Sequence, residues 1–87
     1  MTIMELKRIL LEWEVPENLY SIMVGGLPNE RLCLVKNSDK KWEIYYSERG
    51  RKSGLKLFES EEEACEYFLR KMSRYKLYWW TVISNSR

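Results

Sequence analysis

The chain reads as a two-layer α+β domain, in which three or four antiparallel strands carry an N-terminal and a C-terminal helix on one sheet face. Three observations predict this. Apolar residues recur at helical intervals near both ends, the middle holds short segments of strand-like composition, and the connections are short enough to suit a meander. Two amphipathic helices can cover only one face of so small a sheet, which leaves the other to water or to a partner.

The first helix is expected over residues 3–14. Thr2 followed by Glu5 has capping-box spacing, and Leu6, Ile9, Leu10 and Trp13 then recur on one helical face up to Pro16. Leu19 to Val24 leads into Gly25-Gly26-Leu27-Pro28-Asn29, a cluster of turn formers, and it reads equally as a short edge strand or an extended loop. Arg31 to Lys36 is strand-like, Asn37 to Lys41 reads as a hairpin loop, and Trp42 to Ser47 is its partner strand. Leu55 to Phe58 makes a third clear strand, so strands are expected within 19–58. A second helix is expected over 60–76: Ser60 and Glu63 repeat the capping box, and Glu61, Glu62 and Glu63 sit where the helix dipole favours negative charge. Ala64, Phe68, Met72 and Tyr75 mark its buried face. The aromatic tail, residues 77–87, either continues this helix or turns back as a strand.

Eighty-seven residues, 45% of them apolar, suit one domain spanning residues 1–87. The net charge of +2 is small but uneven, with a basic excess confined to residues 49–87. Cys33 and Cys65 stand far apart with no CxxC pattern, and the chain has no histidine to complete a metal set. They read as buried free thiols in a reducing compartment, with a disulfide left open because sequence does not fix their separation. The charged, periodic start does not resemble a signal peptide, and the apolar run Leu77 to Ile83 is far short of the ~20 residues that cross a bilayer. A cytoplasmic protein without cofactor or metal is expected.

Side chains alternate along a strand, so Trp42, Ile44 and Tyr46 should face the core, while Glu43, Tyr45 and Ser47 face the uncovered side. That strand runs into Glu48-Arg49-Gly50-Arg51-Lys52-Ser53-Gly54, a cationic loop bracketed by glycines. Glu43, Tyr45, Ser47, Glu48, Arg49, Arg51 and Lys52 therefore form the expected partner-binding surface, with Tyr45 as its anchor. Tyrosine and arginine are the residue types enriched at protein–protein hot spots. Cations beside stackable aromatics also suit single-stranded nucleic acid, so a small RNA- or DNA-binding regulator is the alternative. Catalysis is disfavoured: Glu43, Glu48 and Glu59 read as solvated charges, and neither cysteine has a histidine base. Gly25-Gly26 lacks the lysine and hydroxyl of a phosphate-binding loop.

Gly25-Gly26-Leu27-Pro28-Asn29-Glu30, the stretch Trp42 to Gly50, and Ser60 to Phe68 together resemble the small immunity proteins of bacterial polymorphic toxin and contact-dependent growth inhibition systems. The resemblance covers residues 3–72. It implies a cytoplasmic protein with no enzymatic activity that binds and neutralises the toxic domain of a cognate effector, commonly a nuclease. It implies no direct nucleic-acid or membrane partner, and the oligomeric state stays open.

Overall fold

The computed structural model describes the backbone of residues 1–85 and the side chains of residues 1–74. Helix α1 spans Ile3–Glu12, strands β1 to β4 span Tyr20–Ile22, Arg31–Lys36, Trp42–Glu48 and Arg51–Phe58, and helix α2 spans Glu61–Asn85. The architecture is α+β, with a four-stranded sheet in the order β1-β2-β3-β4.

Both helix starts follow from local chemistry. Thr2 Oγ1 accepts from the Glu5 amide at 3.2 Å, and Ser60 Oγ accepts from the Glu63 amide at 3.2 Å, so each cap satisfies one of the orphan amides of a first turn. A third orphan is met at long range, where the Ile3 amide donates to Glu61 Oε2 at 2.9 Å. That bond ties the starts of the two helices together. Helix α1 stops two residues short of the expected Glu14 because the chain closes it with a Schellman turn: Glu14 adopts φ 57°, its amide bonds Leu11 O at 3.0 Å, and the Val15 amide bonds Leu10 O at 3.1 Å. Leu10 and Val15, which flank this turn, are both buried.

The sheet is mixed rather than wholly antiparallel. β2–β3 and β3–β4 pair antiparallel, but β1 pairs parallel to β2, matching Tyr20 with Leu32 and Ile22 with Leu34. Parallel neighbours usually need a long crossover. Here β1 has only three residues, about 10 Å of strand, and the connection 23–30 can reach back that far without a helix.

The strand expected to begin at Leu55 begins at Arg51. Arg49 and Gly50 take φ 48° and 73°, the two positive values of a type I′ hairpin turn, so only these two residues leave the ladder. Gly54 lies in β4, not in a loop; its φ of 61° accompanies a register shift opposite Ile44 to Tyr46, as in a bulge.

The core lies between the helices and one sheet face. Leu6 and Leu10 of α1, Ile22, Leu34, Trp42 and Ile44 of the sheet, and Ala64, Cys65, Phe68 and Met72 of α2 form one buried cluster. Tyr46, expected in that core, is 37% exposed. It shares the face of Ile44 but lies further along β3, where it lines a cavity of about 290 Å³ together with Tyr67 and Lys71. Both cysteines are free and buried. Cys65 belongs to the helix-side core, whereas Cys33 pairs with Tyr45 on the opposite face, so the sheet stands between them and no disulfide forms.

The backbone of the aromatic tail continues α2 to Asn85. No Gly or Pro interrupts 77–85, and extending an existing helix costs far less than nucleating one. The question of whether Tyr75 and the tail side chains pack onto the core falls outside the described residues.

Candidate binding surface

Glu43, Tyr45 and Ser47 do lie on the sheet face opposite Trp42 and Ile44, matched with Val35, Cys33 and Arg31 across the ladder. That face is partly closed, however. The connection after β1 folds back over it, and Tyr45 donates its hydroxyl to Gly26 O at 2.8 Å. Tyr45 is 1% exposed and Ser47 is fully buried, so the expected outward anchor is an interior side chain. Ser47 Oγ is buried with no hydrogen-bond partner among the described residues.

A small polar network supports this interior. Lys52 Nζ lies 4.6 Å from the Tyr45 ring centroid and 3.3 Å from Glu43 Oε1, and Asn37 Nδ2 donates to Glu43 Oε2 at 2.9 Å. The Asn37 amide, together with the nearby Lys52 ammonium, holds the Glu43 carboxyl below its usual range. Burial, with the neighbouring Cys33 second, raises the Tyr45 phenol. Burial also raises the Cys33 thiol, which keeps it protonated and a poor nucleophile. Glu43, Tyr45 and Lys52 are thus brought together as a brace between β3, β4 and the 23–30 connection.

The exposed part of the expected surface is the β3–β4 hairpin. Glu48, Arg49 and Gly50 at its tip are exposed, as is every residue of β4 from Arg51 to Leu57. β4 is also the outer strand of the sheet. Its side chains include Arg51, Lys52 and Lys56, interspersed with Leu55 and Leu57, which are 48% and 58% exposed. An edge strand of this kind offers backbone donors and acceptors, apolar side chains and positive charge along one line.

A second basic feature lies on the helix side. Lys56 Nζ and Lys71 Nζ stand 5.8 and 5.4 Å from the Tyr67 ring centroid, and Phe58 packs against the same ring with centroids 5.1 Å apart. Tyr67, Lys71 and Arg74 lie outside the surface expected from the sequence. The available signal was their spacing of four and three along α2, which sets them on one helical stripe.

A further cavity of about 360 Å³ lies between α1 and β1, bounded by Lys7, Leu11, Tyr20 and Arg31. Burial and then Glu17 raise the Tyr20 phenol there. Among the described residues no group of three or more Cys, Asp or Glu could hold a metal ion, and no helix is long and apolar enough to cross a membrane. No protein-family model, curated protein or solved structure matches the chain.

Proposed function

We propose that the chain is an immunity-type protein that binds and neutralises a cognate bacterial toxin domain, contacting it through the β3–β4 hairpin and the outer edge of β4. The observation that carries this reading is β4 itself, an eight-residue edge strand exposed from Arg51 to Leu57 with cationic and apolar side chains interleaved. Strand addition along such an edge supplies main-chain hydrogen bonds, and the exposed leucines supply apolar contact. Arg49, Arg51, Lys52 and Lys56 steer encounter with an acidic surface. Tyr45 braces the strand from beneath rather than touching the partner.

The test pairs the chain with the protein encoded immediately upstream. A tight complex and relief of that protein's toxicity are expected. Arg49→Glu combined with Arg51→Glu slows association at least tenfold at low salt, with a smaller effect at high salt, because rim charges act mainly on the encounter. Absence of both complex and protection refutes the reading. The alternative, an RNA- or DNA-binding regulator, draws on the Lys56, Tyr67 and Lys71 cluster. It predicts binding to mixed RNA that weakens steeply with salt.

A further inference from the structure

We propose that the groove between β4 and the middle of α2 is a site for an acidic, partly apolar peptide segment. This rests on the reading of the chain as a protein-binding module, and not on the partner's being a toxin. Two cavities, of about 290 and 100 Å³, share Leu32, Tyr46 and Lys71 and so form one groove. Its floor is apolar, from Leu32, Ile44 and Met72, and its rim carries Lys56, Lys71 and Arg74.

No carboxylate lines either cavity. Among the described residues neither Lys56 nor Lys71 forms an ion pair, whereas Arg8, Lys41 and Lys52 are paired with Glu12, Glu59 and Glu43. None of the acids of α2 lines the groove: Glu61 accepts from the Ile3 amide, Glu63 from Ser60, and Glu66 borders a separate cavity beside Trp13. Residues 75–87 contain no Asp or Glu, so no side chain of that segment neutralises the groove. Two ammonium groups stand 5.8 and 5.4 Å from one tyrosine ring centroid with no carboxylate lining the groove, so an incoming carboxylate is attracted by both.

The size and position of the groove favour a peptide. Its volume lies at the lower end of ligand sites and suits one or two side chains. A strand that adds to the outer edge of β4 projects alternate side chains onto the helix face, beside Lys56 and Tyr67. A nucleobase fits less well, because Phe58 and both lysines already crowd the Tyr67 ring and little of its face remains for stacking.

The probe is a fluorescein-labelled octapeptide alternating glutamate with leucine, followed by fluorescence anisotropy, with a twin in which lysine replaces glutamate. Saturable binding of the acidic peptide alone is expected. Lys56→Gln and Lys71→Gln should each weaken it three- to tenfold, while Arg8→Gln leaves it unchanged. Should either groove variant melt early, amide shifts of the unmodified protein on peptide addition must concentrate in Ser53 to Lys56 and Tyr67 to Arg74. Three results overturn the proposal: no binding of the acidic peptide at millimolar concentration, binding indifferent to both lysines with shifts elsewhere, or displacement by oligothymidylate that binds more tightly. A toxin complex that forms while the acidic peptide fails to bind sinks the groove and spares the function above. Peptide binding without any upstream partner does the reverse.

Discussion

Replacing Tyr45 separates a structural brace from an exposed anchor. An exposed hot spot loses affinity on truncation and leaves the thermal midpoint alone. Tyr45 is 1% exposed, its hydroxyl bonds Gly26 O at 2.8 Å, and its ring faces Lys52 at 4.6 Å. Tyr45→Phe removes only the hydroxyl. Gly26 is itself exposed, so its carbonyl regains water, and the loss is about 1 kcal/mol. Tyr45→Ala removes a buried ring as well, at about 3 to 5 kcal/mol, a large share of the roughly 5 to 15 kcal/mol that holds a small domain folded. Circular dichroism melts should place the Phe variant about 4 to 8 °C below the parent, with the Ala variant unfolded or nearly so. Amide exchange in residues 23–30 should rise in the Phe variant, because the hydroxyl is what fastens that connection to the sheet. An Ala variant that melts with the parent refutes the brace and returns Tyr45 to the surface.

Four other substitutions probe the scaffold. Glu14→Gly should stabilise by about 0.5 to 1 kcal/mol, since relief of left-handed strain outweighs the entropy of glycine in the unfolded chain; urea titration checks this, and any loss of stability refutes the Schellman assignment. Trp42→Ala and Phe68→Ala should each cost about 3 to 5 kcal/mol, Phe68 being fully buried, and an unshifted melt for either contradicts the core. Burial, and then Glu61, raises the Cys65 thiol from 9.0 to about 11. The folded state therefore holds the proton more tightly, so this contribution, on the order of 2 to 3 kcal/mol, is complete below pH 9 and fades between pH 9 and 11. Cys65→Ala should lose less stability over that interval, and parallel profiles for the two proteins contradict the assignment.

The features legible in the sequence are those whose causes are local. Thr2 with Glu5 and Ser60 with Glu63 announce both helix starts within four residues, and the Asn37 to Lys41 loop closes as expected, with Asn37 Oδ1 accepting from the Asp39 and Lys41 amides. Alternation along β3 correctly sets Tyr45 opposite Trp42. Alternation does not say what covers a face, however, and the cover comes from Gly26, nineteen residues away. The parallel direction of β1 is equally invisible, because a three-residue strand has the same composition in either orientation. Gly50 and Gly54 look alike in the sequence, yet one turns the chain and the other only shifts the register. Ambiguity at 77–85 has a different source: aromatic and β-branched residues tolerate both states, and the helix wins because α2 is already nucleated.

The exposed cations of β4 have two physical explanations, and they differ in a way that can be measured. An uncovered edge strand invites pairing with other copies, and lysine, arginine and a bulge are the usual protections against it; Arg51, Lys52, Lys56 and the shift at Gly54 fit that role. Protection depends on the presence of charge and not on its sign. Recognition of an acidic partner depends on the sign. Reversal of Arg49 and Arg51 to glutamate therefore leaves a soluble, unaggregated protein under either account, but slows the partner's association only under the second. Neutralising the same two residues to glutamine affects both, raising self-association while weakening encounter. The contrast between reversal and neutralisation, read by light scattering and by association rate at two salt concentrations, distinguishes an edge that is merely guarded from one that is also addressed to a partner.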